Sequence, residues 1–332
     1  MNKGNSMVQD KVNTEGTKVF SQRPALTSNV MMVRPANFGF NDETAENNAF
    51  QINNTEISTA EIAAKAVQEF DRFVTMLKKN DVNVEVIQDP QFPVNPDAVF
   101  PNNWISFHHP DFVVTYPMFA LKRRNERRKE IIDDLKLAYS IKAQFEFEHF
   151  EKEKMFLEGT GSIVFDRTHK IAYACKSIRT NEYLFNKFCE DLHFTPILFD
   201  AVDKKGQPIY HTNVMMTVGV DFVIICMESI ASVVDRKKLE ALFKETGKAI
   251  IPISIPQMEQ FAGNMIQLKN KNEESLLVMS SKAFNSLTQV QLIEMENYAK
   301  IIHADLDVIE TYGGGGARCM IAEIFLKPLH GK

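Results

Sequence analysis

The sequence has little cysteine, and its four copies form no scaffold. Cys175, Cys189, Cys226 and Cys319 contain no CxxC pair and no Cys/His cluster with zinc-ligand spacing, which argues against a disulfide framework and a zinc module. Positive charge is also short. Lys and Arg number 38 against 43 Asp and Glu, a net charge of −5, so a phosphate-tracking nucleic-acid binder is not expected. No apolar run approaches the ~18 residues of a membrane helix. The longest, such as Phe222–Met227, have strand length. The polar start, MNKGNSMVQDKVNTEG, lacks an apolar signal core. These absences together predict a soluble, cytoplasmic protein with neither membrane nor nucleic acid as a partner.

What is present is a folded chain. Its 332 residues are 44% hydrophobic and 24% charged, a globular composition that allows two ordinary domains or one large one. Residues 1–28, rich in Asn, Lys, Ser and Thr, read as a mobile tail, and 29–332 as a single domain. From Val30 the pattern becomes regular. Ser58 to Lys79 reads as an amphipathic helix, with a Ser58/Glu61 capping box and apolar Ile62, Ala66, Phe70, Phe73 and Leu77. Further helices are predicted at Arg123–Ala138, Thr180–Leu192, Asp235–Thr246 and Thr288–Ile301. Strands are predicted at Val82–Ile87, Phe112–Tyr116, Ile171–Cys175, Phe222–Met227, Ala249–Ile253 and Leu276–Met279.

The helices start near 58, 123, 180, 235 and 288, in steps of 65, 57, 55 and 53. This near-constant period predicts five units of a few strands plus one helix, set around an axis as propeller blades are. A polar motif follows each helix at the same phase, about 18 to 20 positions past its end: PDAVFPNNW with Asp97, FLEGTGS with Glu158, YHTNV with His211, FAGNM with Asn264 and GGGGARC with Cys319. In a radial arrangement equivalent positions meet near the axis. The repeat therefore predicts that these five side chains converge.

Chemistry separates the cysteines. Cys175, Cys189 and Cys226 sit in apolar stretches and read as small core residues. Cys319 follows Gly313–Gly316, which leaves it little side-chain cover and permits close approach of another molecule. A flexible turn before a last strand is the plain alternative. A histidine can act as acid and base near neutrality, and the phase of His211 singles it out from seven others, including His108 and His109. Glu158 lies between Leu157 and Gly159, a poor core position for an acid unless it is paired. Together they make a Cys nucleophile, a His acid/base and a Glu orienter or cation binder. Asp97 adds a second carboxylate. Two carboxylates facing a cysteine suit a planar, amidine-like carbon, whose N–H groups they can hold over the sulfur.

From VRPANF (33–38) to its end, the sequence resembles the guanidino-group-modifying enzymes of the pentein superfamily. That group includes arginine deiminases, amidinotransferases and dimethylarginine dimethylaminohydrolases. The resemblance is closest to dimethylargininase-like and arginine-deiminase-related bacterial hydrolases, a branch that includes enzymes assigned to citrulline use. It implies a five-bladed α/β propeller and a covalent cysteine mechanism without metal or organic cofactor. PDAVFPNNW resembles a PDxVFxED segment, which makes Asp97 a substrate-binding residue. FLEGTGSIVF, YHTNV and GGGGARCMIAE imply Glu158, His211 and Cys319 as catalytic residues. CKSIRTNE implies that Arg179 grips the substrate's carboxylate. Asn264 and Asn213 join the expected substrate contacts.

The chain departs from the pattern at two places. Asn102 and Asn103 stand where the family has acids, and His211-Thr-Asn213 stands where deiminases have HxD. A buried guanidinium deprived of a carboxylate suffers a penalty of about several kcal/mol. An amide can donate as well as accept, so Asn103 could donate to a ureido oxygen while Asp97 accepts from its NH2. The expected function is hydrolysis of a C–N bond in a guanidino or ureido amino acid. An amidinotransferase and a non-catalytic binding protein on the same fold are the alternatives. Exposed blade helices could support a homodimer.

Overall fold

The computed structural model describes residues 24–45, 48, 50–51 and 57–329. The first 23 residues of the expected tail lie outside that set. Its last residues are anchored: Thr27 is buried and donates to the Ile324 carbonyl at 2.6 Å.

Five three-stranded sheets carry the fold. In each, the middle strand is antiparallel to one neighbour and parallel to the other, and a helical crossover joins the parallel pair. The first blade joins both ends of the chain: Asn29–Arg34 pairs antiparallel with Ala322–Glu323 and parallel with Asn83–Gln88. The next three are built from Ile105–His108, Phe112–Thr115 and Ala143–Glu146; Val164–Asp166, Ile171–Cys175 and Thr195–Phe199; and Met216–Val218, Phe222–Ile225 and Ala249–Pro252. Ile266–Lys269, Ser275–Ser280 and Lys300–Ala304 form the fifth. This is the five-bladed α/β propeller expected from the period.

Helix signals were read with uneven success. Ser58 caps Thr59–Lys79 by accepting from the Glu61 N–H at 3.2 Å, and Phe70, Phe73 and Leu77 are buried against Val30, Met32 and Val278. Each such phenyl contributes about 1.5–3 kcal/mol of burial. The third and fourth helices run Glu182–Leu192 and Val233–Glu245. Two predictions need correction. The expected Arg123–Ala138 helix is a 3-10 turn at Lys122–Glu126 followed by Lys129–Leu135; Arg123 and Glu126 are turned inward as an ion pair instead of lying on a solvated face. The expected Thr288–Ile301 helix stops at Glu296, and Ile301 belongs to a strand that pairs with Leu277. Ile301 and Ile302 fit a buried sheet as well as a helix face, and the β-branched pair goes to the sheet.

Among the described residues no helix is long and apolar enough to cross a membrane.

Candidate functional site

Each polar motif falls in the connection between the outer strand of one blade and the first strand of the next. Glu158 precedes the short helix Gly159–Ser162, and His211 precedes the turn Thr212–Val214. Cys319 lies after the helix Asp307–Gly313, whose end is made by Gly314 at φ +66°, a left-handed conformation that favours glycine.

Four of the five expected side chains form direct pairs. His211 Nε2 lies 2.7 Å from Glu158 Oε2, and Asn264 Nδ2 lies 3.2 Å from Cys319 Sγ. Asp97, Cys319, His211, Asn103 and Arg179 line one small cleft with Gly313–Gly315, Tyr210 and Phe100. Cys319 is covered rather than open, at 4% exposure. The glycines that were read as leaving it bare admit Phe100 and Asn48 in place of side chains of their own.

The ionic state of the pair follows from its surroundings. Burial opposes charge on Glu158, but the Arg179 guanidinium (3.6 Å), the His211 hydrogen bond and Arg123 outweigh it and hold the carboxyl at about 2. The Phe119 N–H donates to its other oxygen at 2.9 Å. Burial, reinforced by Arg179 and Arg123, pushes His211 down to about 4 despite Glu158. A carboxylate only accepts, so Nε2 carries the ring proton and Nδ1 carries the lone pair. His211 is thus a neutral base at pH 7 whose tautomer is set by Glu158.

The thiol is managed by amides. Burial pushes Cys319 up, opposed by Asn264, Arg318 and Asn213. The Arg318 backbone N–H donates to Asn264 Oδ1 at 3.1 Å. That bond turns the Asn264 NH2 toward the sulfur, and Asn213 Nδ2 adds a second donor at 3.5 Å. Both asparagines were expected as substrate contacts; in the structure their amides lie against Cys319 Sγ, where they favour its ionised form. The other three cysteines have no amide pair of this kind: Cys175 accepts from the Thr212 hydroxyl at 3.4 Å and is still pushed up to about 12, as is Cys189, where burial acts alone.

Sequence reading missed Arg123. Its guanidinium is buried, paired to Glu126 through two bonds of 2.9 Å, and donates to Asn103 Oδ1 at 2.7 Å. Arginine cannot accept, so this bond fixes the Asn103 amide with Nδ2 pointing elsewhere. Asn103 Nδ2 and Asp97 Oδ1 are both buried without a partner. Asn41 donates to the other Asp97 oxygen at 2.7 Å. Arg179 stacks over Tyr210, 5.1 Å from the ring centre, and donates to the Thr44 carbonyl at 3.0 Å. The run RRNERRK gives no local sign that its first residue is internal.

Gly161 is required by this crowding. A Cβ there would stand 2.3 Å from Asn103 Nδ2 and 2.8 Å from His211 Nδ1. Gly161→Ala is expected to displace both side chains and lower kcat by about 100-fold, as misplacement near the reacting atoms does, with the circular dichroism spectrum unchanged. Steady-state kinetics on the folded variant checks it.

Five blades delivering a cysteine, a histidine and a carboxylate to one pocket define a cysteine-dependent hydrolase of guanidino-type groups. Within that class the chain belongs to the family described as N,N dimethylarginine dimethylhydrolase, eukaryotic, whose model matches residues 34–326. No curated protein matches the chain. Among solved structures it is similar to the N-terminal domain of ArgZ bound to product, an arginine dihydrolase from the ornithine-ammonia cycle in Cyanobacteria. That match has TM-score 0.70 and 16% identity, and covers 89% of this chain and 97% of the other. AgrE with L-arginine bound, in a cysteine-to-alanine form, gives TM-score 0.70 and 15% identity over 89% of this chain and 40% of the other. A dimethylarginine dimethylaminohydrolase adduct with S-methyl-L-thiocitrulline gives 0.61 and 15%, over 90% and 100%. At these identities the likeness establishes the fold.

Proposed function

We propose that the protein hydrolyses the terminal C–N bond of an amino acid ending in a ureido group, a citrulline-like substrate, through a covalent intermediate on Cys319. One observation carries the choice: the pocket presents an unpartnered acceptor, Asp97 Oδ1, and an unpartnered donor, Asn103 Nδ2. A ureido group offers an NH2 to the first and an oxygen to the second. A guanidinium offers only donors, so it leaves Asn103 Nδ2 unsatisfied. Arginine or methylarginine is the second reading, favoured by the family's description and by the arginine-bound neighbour.

In the proposed reaction the Cys319 proton passes to His211 and the thiolate attacks the ureido carbon. His211 returns the proton to the departing NH2, which leaves as ammonia, and a thiocarbamate S–C(=O)–NH–R remains. His211 then activates water, which attacks the carbonyl and frees the thiol. The product R–NH–COO⁻ breaks down to the amine and carbon dioxide. Asp97 and Asn103 hold the planar group, Asn213 and Asn264 support the sulfur, and Arg179 takes the substrate's carboxylate.

Asn103→Asp tests the assignment. The new carboxylate keeps its bond to Arg123 and turns its second oxygen, an acceptor, toward the substrate. The ratio of kcat/KM for ureido over guanidino amino acids is expected to exceed about 100 in the wild type and to fall by about 100-fold in the variant, within the range over which unpaired buried polar groups discriminate. Wild-type turnover of arginine at least as good as that of citrulline would remove the ureido reading.

A further inference from the structure

Glu310 is buried at 0% exposure, and neither of its carboxyl oxygens has a hydrogen-bond partner. It sits on the helix Asp307–Gly313, and the loop that this helix launches carries the nucleophile. Its backbone carbonyl accepts from the Gly314 N–H at 3.0 Å, closing the helix end. Its side chain backs the same loop. A Cβ built on Gly316 would lie 3.1 Å from Glu310 Oε1 and 2.9 Å from Asn264 Oδ1, so Glu310 and Asn264 flank one backbone position, three residues before Cys319. Asn264 is the residue that ties this loop, through the Arg318 N–H, to the sulfur.

A carboxylate at this position would be a buried charge, and burial outweighs the help that the Ser280 hydroxyl gives it. The charged groups around it do not change that balance. Glu69, from the Thr59–Lys79 helix, is committed to the Val308 and Ile309 N–H groups at 2.9 and 3.0 Å and repels a second anion. Asp307, on the same helix as Glu310, also repels. Ser280 and Lys282, from the far end of the fifth blade, pull the other way. Arg318 lies on the loop side, its guanidinium held by the Ile321 carbonyl and Glu323 at 2.9 Å each. Burial dominates and pushes Glu310 up to about 8.

We propose that Glu310 is a positioning residue for the nucleophile, working as a neutral carboxylic acid packed behind Gly316, and that its ionisation disables the loop presenting Cys319. This rests on the reading of Cys319 as nucleophile. Above the Glu310 transition, a negative charge appears beside the Gly316–Asn264 contact. It disturbs the packing that aims the Asn264 amide, and it raises the cost of a second negative charge on the sulfur. The mechanism above does not use this group, and a simple space-filling role would not care about its charge. The sign for stability is clear. A carboxyl raised from its ordinary 4.5 to about 8 leaves the folded state binding more protons than the unfolded state. It therefore lowers stability progressively as pH rises through that window.

The test compares wild type with Glu310→Gln, a neutral isostere, and with Glu310→Leu. Two properties are followed from mildly acidic to alkaline pH: turnover, and iodoacetamide alkylation of Cys319 read as mass on its peptide. The Gln enzyme is expected to keep kcat/KM within about threefold of wild type at neutral pH, to hold its activity to a pH about one unit higher, and to alkylate with a lower pH midpoint. Its thermal midpoint should exceed that of wild type increasingly as pH rises toward 8. The Leu enzyme, without a polar group behind the loop, should lose about tenfold or more. Coincident alkaline limbs for wild type and Gln, in both turnover and alkylation, would overturn the proposal. So would a Gln enzyme as impaired at neutral pH as is expected for the Leu enzyme. The comparison of Gln with wild type stands whether or not the Leu enzyme folds. Alkylation needs no substrate, so a wrong substrate assignment appears as missing turnover with the alkylation shift intact.

Discussion

Cys319→Ser abolishes turnover, with kcat falling by about 10⁴-fold or more, while thermal unfolding stays close to wild type. The expectation follows from what surrounds the sulfur. Asn264 and Asn213 approach it at 3.2 and 3.5 Å, distances suited to a large, polarisable atom that becomes an anion. A serine oxygen is smaller, sits farther from both amides, and has a pKa too high for His211, a base pushed down to about 4, to ionise it. The fold loses little, because the loop is held by Arg318, Gly314 and Tyr210, whose hydroxyl donates to the Gly314 carbonyl at 2.6 Å. Kinetics beside differential scanning calorimetry separates the two effects.

Glu158→Gln has the second-largest expected effect, and its cause is a tautomer. The Phe119 N–H that now donates to Oε1 fixes the new amide oxygen at that position. The amide NH2 then occupies the place of Oε2 and faces His211. It can only donate there, so Nε2 must accept and the ring proton moves to Nδ1. The imidazole loses its lone pair on the side of the reacting atoms, and Arg179 loses its anion at 3.6 Å. A fall in kcat of about 10³–10⁴ is expected, the scale seen when a catalytic histidine is held in the wrong tautomer.

The same substitution reports on acid stability. Glu158, held at about 2 against a model value of 4.5, contributes stability that is full above 4.5 and is lost as pH falls through 2. His211, held at about 4 against 6.5, adds a loss as pH falls from 6.5 through 4. The two titrate as a pair. Urea unfolding across this range should show an acid loss in wild type that is smaller in Glu158→Gln by about 3 kcal/mol, two to three pKa units of differential binding. An unchanged acid loss would mean that the carboxyl is not held down in the folded protein.

Much of the architecture was legible because each blade repeats its punctuation. Ser58 and Thr288 cap helices through their hydroxyls as the sequence suggests, and the spacing of the five helix starts sets the period that places the motifs in phase; the Ser232 cap appears only in the structure. Glu158 stands out because an acid between Leu157 and Gly159 is a poor core residue unless paired, and His211 stands out by its phase in the repeat. Arg123 and Glu126 had no such mark. In a run of six charged residues interrupted by one asparagine, an inward ion pair looks the same as a solvated face until the partner strands are in place. Asn41 and Thr44 reach Asp97 across more than fifty positions, a separation at which local pattern carries no information. Glu310 was hidden for a related reason: an acid in the first turns of a helix is ordinary, and only the approach of Gly316 and Asn264 makes this one buried.

Asn103 shows how a departure from a family pattern becomes informative. From sequence alone the amide could point either way. The Arg123 donor at 2.7 Å fixes it, and the nitrogen left over sets the kind of substrate the pocket can satisfy.

The account stands or falls on where a substrate carbon becomes attached. The decisive measurement is rapid quenching of the enzyme during turnover of a ureido amino acid, followed by peptide mass analysis. The predicted result is an R–NH–CO– adduct confined to the peptide containing Cys319, absent from those of Cys175, Cys189 and Cys226. Turnover that leaves Cys319 unmodified and continues undiminished in the Cys319→Ser enzyme would contradict it.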